Sequence, residues 1–326
     1  VLQLNDESDY ASIVGKTDGL FPSRYKGRGL VKKDAIYEFQ VAQITNDPVP
    51  FQFIQKECVK LQSVWKGDTA RKIPILPDQV DVEFLSDYVS EGSLTIPIGV
   101  EKNSLHVHYY PFGKSYLNMI LSSSTEHLGF IHDLTAFMAS HGGFDVTMID
   151  GQQSFLTKNH GPITYYSTVK DFENVVNTLF ELVLYRNNTY KESIEKGVEA
   201  ERFDQKVIII NSVVALKNAI SKESAEKLGL ILEKGDTKYN ITIIFAESSK
   251  NLSGITFDKW YKQHVNSGDG IWIGSGITDQ FNLKANKTTS EMREEMTAEF
   301  GFSLQKGKSV KVKLLNSVKE NGDNDE

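Results

Sequence analysis

Two short stretches carry residue types suited to holding phosphate. Gly113-Lys114-Ser115 has the last three letters of a phosphate-binding loop. Such a loop also needs a buried strand before it, a glycine five positions ahead of its lysine, and a helix after it whose first N–H groups cradle the anion. Tyr109 stands at the glycine position and residues 116–121 read as a strand, so a plain turn is predicted here. The right context comes one strand later. The apolar run 116–121 reads as a buried parallel strand. Beyond it, Leu128, Ile131, Leu134, Phe137 and Met138 recur at helical spacing, with the helix expected from Gly129 onward.

The intervening loop reads Ser122-Ser123-Ser124-Thr125-Glu126-His127-Leu128. Glu126 stands where the last glycine belongs, His127 where the lysine belongs, and Leu128 where the magnesium-binding hydroxyl belongs. Without glycines the loop does not readily reach the left-handed conformations that aim N–H groups at phosphate. His127 is short and mostly neutral at pH 7. Glu126 repels a triphosphate, and Leu128 removes a metal ligand. The partner half of such a site is an apolar strand ending in acids. Val207-Ile208-Ile209-Ile210 is a suitable strand, but it ends in Asn211-Ser212. The expected result is a degenerate pocket of Ser122, Ser123, Ser124, Thr125, Glu126, His127, Leu128, Asn211 and Ser212. No catalytic residue, no metal and no cofactor is expected in it. The alternatives are an ordinary strand–loop–helix unit, or a weak ATP-binding module using unconventional residues.

Other chemistry-bearing residues read more plainly. His106 and His108 alternate along a strand, yet two imidazoles without a third ligand do not make a zinc site. His132 and Asp133 are expected as solvated polar residues at a helix start, and Asp145 and Asp150 as capping or turn residues. Trp260, Tyr261 and Trp272 are candidates to line an apolar partner groove, against the alternative that each fills the core.

These residues must be positioned by alternating strands and helices. Apolar strands at 144–149, 207–210, 240–246 and 270–273 alternate with helices at 169–195, 214–228 and 257–264. That order implies an α/β fold, a mostly parallel sheet with helices on both faces. Short antiparallel additions are expected at 94–100 with 105–109, and a closing hairpin at 300–315. Residues 1–48 hold a strand at 1–4, a turn at Gly27-Arg28-Gly29 and a strand at 35–42. A linker signal, Asn46-Asp47-Pro48-Val49-Pro50, precedes a helix at 51–66, and the main domain is placed at 49–318. The tail 319–326 is acidic and expected to be disordered.

The 326 residues are 40% hydrophobic and carry a net charge of −7, which argues against a nucleic-acid surface. A single cysteine, Cys58, excludes an internal disulfide. There is neither a membrane-length apolar run nor a signal peptide, and the chain reads as a piece of a longer protein.

In this order and spacing several segments resemble a known family. They are Gly27-Arg28-Gly29-Leu30, Tyr37-Glu38-Phe39-Gln40, Ile73-Pro74-Ile75-Leu76-Pro77, Ile96-Pro97-Ile98-Gly99-Val100 and Gly270-Ile271-Trp272-Ile273-Gly274-Ser275-Gly276. Together they resemble the third, C-terminal ATPase-like domain of the type VII secretion coupling proteins, the EssC/EccC branch of the FtsK/SpoIIIE family. The resemblance implies a RecA/P-loop-NTPase-like fold, with residues 1–48 closing a preceding ATPase module. It also implies a membrane-tethered motor at the cytoplasmic face of a bacterial membrane, with anchors outside this chain. Its last module would dock secreted helical proteins of the WXG100 type and regulate the neighbouring active module. ATP and magnesium serve the active modules of the family; the departures at 122–128 and 211–212 keep ATP hydrolysis from being carried over here.

Overall fold

A computed structural model describes residues 2–46, 48–67, 73–158 and 161–317. The chain divides into two compact units, residues 1–72 and 73–326, so the helix expected at 51–66 groups with the first of them. The tail 319–326 lies outside the described residues.

In the first unit, helix α1 (Glu7–Val14) is capped by Asp6, whose carboxylate accepts the Ser8 N–H. Strands β1 (Arg28–Lys32) and β2 (Ile36–Gln40) pair antiparallel. Residues 28–29 are therefore strand rather than turn; Gly27, at φ +83°, takes the left-handed position just before it. The strand expected at 1–4 is reduced to a single bridge between Leu2 and Gly29. Tyr10, Val14 and Leu30 form a small core. Helix α2 (Pro50–Val64) starts on a proline, which loses nothing where the first N–H has no helical partner. None of its residues is buried.

The second unit is built on a ten-stranded sheet. Its elements are α3 (Val82–Ser86), β3 (Thr95–Glu101), β4 (Val107–Pro111), β5 (Leu117–Ser122), α4 (His127–Ser140), β6 (Asp145–Asp150), β7 (Thr164–Tyr166) and α5 (Val169–Lys196). They continue with β8 (Lys206–Asn211), α6 (Val213–Ala219), α7 (Lys222–Lys234), β9 (Ile241–Ser248), α8 (Lys259–His264), β10 (Gly270–Ile273), β11 (Phe300–Gln305) and β12 (Lys308–Leu314). The strand order is β4-β3-β12-β11-β10-β5-β9-β8-β6-β7. From β10 to β7 every pairing is parallel, whereas β4, β3, β12 and β11 form an antiparallel wing joined at β10.

Alternation along the strands feeds two cores, one on each face. Ile208, Ile210, Ile243 and Phe245 pack on the face that carries α5, α6 and α7. Val207, Ile209, Ile244 and Ala246 pack on the face that carries α4. The single helix expected at 214–228 is instead α6 and α7. Ser221 separates them because its hydroxyl accepts the Ser224 N–H, an N-cap that starts a new helix.

Candidate functional site

The parallel strands β10, β5, β9, β8 and β6 end on one edge, where open α/β sheets bind their ligands. The loop between β5 and α4 lies there. It is shorter than its sequence suggests: Ser122 is the last residue of β5, and α4 begins at His127 rather than at Gly129. The free loop is residues 123–126, with Ser124 and Thr125 exposed, and Leu128 packs partly into the α4-side core.

Several polar groups of the loop are engaged within the protein itself. Glu126 Oε2 accepts the Ser124 N–H at 2.8 Å, so a carboxylate of the loop occupies the loop's own donor. Burial works against the Glu126 charge, but the N–H groups of Glu126 and Ser124, with the Ser122 hydroxyl, hold its carboxyl below the usual range. His127 does not extend into solvent as a phosphate-binding lysine would. It is fully buried, with Nδ1 2.6 Å from Ser122 Oγ. Burial pushes its pKa down to about 4, against the opposing pull of the Asn211 side chain and Glu126, so the imidazole is neutral at pH 7. His127 Nε2 and the neighbouring Asn211 Oδ1 are both buried and do not reach good hydrogen-bond geometry.

The loop is also tied down from above. Ser123 Oγ donates to the Ser275 carbonyl at 2.9 Å, and Ser248 Oγ donates to the Ser123 carbonyl at 3.0 Å. The turn that receives Ser123 is held by Trp272, whose indole N–H is shared between the carbonyls of Gly274 and Ser275. Of the two readings open for Trp272, groove or core, its full burial fits the core, and its polar edge fixes the 274–275 turn.

The strand ends opposite the loop are also tied into hydrogen bonds, Asn211 Oδ1 excepted. Asn211 Nδ2 donates to Asp150 Oδ1 at 2.7 Å, and Asp150 Oδ2 accepts the Tyr165 hydroxyl and the Phe155 N–H. Asp150 is thus a buried anchor in a network, more than a turn residue. Ser212, at φ +64°, donates its hydroxyl to Glu247 Oε2 at 2.8 Å while accepting the Ala215 N–H. Sequence reasoning missed Glu247. It is the penultimate residue of the apolar strand β9, which lies between β5 and β8, so an apolar strand running into an acid stands on β9 rather than on β8. Its oxygens are already taken by Ser212, the Val214 and Ser248 N–H groups and Asn251.

Ser122, His127, Asn211 and Asp150 have the composition of a nucleophile–base relay. Ser122 is wholly buried, so a substrate carbon has no approach to its hydroxyl. His108 pairs through Nδ1 with Glu101 at 2.8 Å. Among the described residues no group of three or more His, Cys, Asp or Glu is placed to hold a metal.

The other groove candidates lie on the helical face. Trp260 lines a cavity of about 440 Å³ between α6, α7 and α8, with its ring edge-on to Phe245 and to Tyr261. The Tyr261 hydroxyl turns inward to Met119 Sδ, and burial pushes its pKa up to about 12. Beside this cavity, and sharing Leu230 with it, is a small apolar groove of about 200 Å³ between α5 and α7. Phe180, Val183, Leu184 and Ile231 line it, with Asn187 and Lys234 on its polar side.

A mostly parallel sheet with helices on both faces, and a strand–loop–helix unit at its ligand edge, make an α/β architecture of the kind found in P-loop ATPase domains. No family model matches the chain. The type VII secretion system protein EssC of Staphylococcus aureus (strain MRSA252) is 20% identical over 296 residues, 88% of this chain and 19% of that protein. The structure of EssC ATPases 2 and 3 from Geobacillus thermodenitrificans superposes with a TM-score of 0.65 at 16% identity, over 96% of this chain and 59% of that one. The Thermomonospora curvata EccC ATPases 2 and 3, in complex with a signal sequence peptide, give 0.59 at 16% identity, over 95% and 57%. Sequence and fold together support an EssC/EccC-type ATPase-like domain. Among the described residues no helix is long and apolar enough to cross a membrane.

Proposed function

We propose that this chain is a non-catalytic module of a type VII secretion motor, one that docks secreted helical proteins and regulates neighbouring ATPase modules of the same polypeptide. The motor would work at the cytoplasmic face of a bacterial membrane. The observation that carries this reading is Glu126: its carboxylate takes the Ser124 N–H that a phosphate would need. The buried, neutral His127 supports it by leaving the loop without a cation.

Docking is supported by the apolar groove between α5 and α7 and the adjoining, charge-rimmed hollow between α6, α7 and α8, which share Leu230. An amphipathic helix of a WXG100-type protein lays apolar side chains into grooves of this kind. The Thermomonospora curvata relative was solved with a signal sequence peptide, which fits the same role.

The deciding experiment is calorimetric titration with ATP, in magnesium and again in EDTA, beside a turnover assay. No magnesium-dependent binding and no hydrolysis are expected. Micromolar, magnesium-dependent binding would instead favour a weak ATP-using module and overturn the non-catalytic reading.

A further inference from the structure

At the opposite end of β5 from the loop, roughly 13 Å away at the strand rise of about 3.3 Å per residue, lies a cavity of about 620 Å³. It is lined by Tyr110 and Pro111 at the end of β4, by Lys114, Ser115 and Asn118 on the way into β5, by Asp269 before β10, and by Gln305, Lys306 and Lys308 at the β11–β12 turn. Three lysines from two separate connections face one hollow in a chain whose net charge is −7. Among the described residues, ion pairs engage other lysines but not Lys114, Lys306 or Lys308.

The one acid in the wall is already engaged. Asp269 Oδ1 accepts the Lys306 N–H at 2.6 Å and Oδ2 accepts the Asn266 amide at 2.7 Å, which fixes the hairpin turn. Lys306 sits at φ +52° and Gly307 at +74°, the two-residue hairpin geometry that ordinarily takes Asn-Gly. Tyr110 is almost wholly buried and yet lines the cavity. Burial, with Asp269 nearby, raises its pKa, so the phenol stays a neutral donor.

We propose that this cavity binds a phosphate-bearing anion, held by Lys114, Lys306 and Lys308. Gly113-Lys114-Ser115 contributes to it as the short helical turn Phe112–Lys114, not as a phosphate-binding loop. Three cations against one internally satisfied carboxylate leave a surplus of positive charge, which suits a ligand with more than one negative charge. The site is separate from the β5–α4 loop and stands whether or not that loop holds nucleotide.

The test uses the whole chain and inorganic tripolyphosphate in EDTA, followed by calorimetry at rising salt. Binding should weaken steadily with salt. Lys114→Glu with Lys308→Glu should weaken it at least about tenfold, the loss expected for a charge-assisted contact. Lys191→Glu with Lys250→Glu, the same charge change outside the cavity lining, should leave it within about twofold. Thermal unfolding without ligand should be unchanged in both variants, which separates lost binding from lost folding. Vesicles containing phosphatidylglycerol form a second arm. Tripolyphosphate binding without vesicle binding assigns a soluble ligand, and vesicle binding lost in the Lys114/Lys308 variant assigns a lipid headgroup. Binding of neither probe, or equal losses in both double variants, overturns the proposal.

Discussion

The Ser122 hydroxyl lies 2.6 Å from His127 Nδ1, and both side chains are fully buried. The last residue of a strand and the first of the following helix thus close on each other, across the gap where a phosphate-binding loop leaves room for its ligand. His127 joins β5 to α4 here, and burial favours its neutral form.

That neutrality gives a pH dependence with a defined sign. The folded-state pKa of His127 is depressed to about 4 from an unfolded value near 6.5, so between these values the unfolded chain binds more protons. Its stability contribution is complete above about pH 6.5 and is lost as pH falls towards 4, about 3 kcal/mol in all. Urea unfolding at pH 7, 6, 5 and 4.5 should show this slope, and His127→Asn should flatten it. An equal slope in His127→Asn would place the titrating group elsewhere.

A lysine at position 127 should not by itself create a nucleotide site. His127→Lys puts an ammonium where the imidazole was driven neutral, at a cost of about 3 kcal/mol. Glu126 and Leu128 still oppose phosphate and magnesium. Denaturant titration should show the loss, and calorimetry should show no magnesium-dependent ATP binding.

Gly276 holds the far side of the loop. Its φ is +89°, and a Cβ there would come 2.7 Å from Ser123 Oγ. Gly276→Ala should cost about 1–2 kcal/mol, part from the left-handed backbone and part from the contact. The second signature is local. Amide exchange at Ser124 should speed up as the Ser123 bond to Ser275 is lost, which a merely global destabilisation would not single out.

Glu247 should be the most costly residue of the strand ends to remove. Glu247→Ala leaves the Ser212 hydroxyl and the Val214 and Ser248 N–H groups without their acceptor in a buried site. A loss of about 2–5 kcal/mol in chemical unfolding is expected. A loss under about 1 kcal/mol would show that water replaces the carboxylate easily.

For docking, Leu184→Asp and Leu230→Asp change residues that line the apolar groove while remaining partly exposed. Each should weaken binding of a WXG100-type helical protein about tenfold or more, measured by titration, with thermal unfolding nearly unchanged. Unaltered binding would move the docking surface elsewhere.

Sequence reasoning reached the strand–loop–helix unit and the mostly parallel sheet, because these follow from residue type and local periodicity. It reached the helix α5 nearly to its ends for the same reason: Thr168 caps one end and Gly197, left-handed, closes the other. It did not reach Glu247, which carries the apolar-strand-then-acid pattern on the strand next to β8. Neither did it place Trp272, whose burial and whose bond to the 274–275 turn depend on neighbours from distant strands.

Composition and spacing therefore determined which residue types stand at this loop, since a charge or a hydroxyl is a property of the residue itself. Only the tertiary structure decided what fills the space. Asn211 meets Asp150 across 61 positions, Ser123 meets Ser275 across 152, and lysines of two connections come to one hollow. Periodicity reports which side of an element is buried; who stands opposite is set by strand order and register, and those are fixed only when the sheet is assembled.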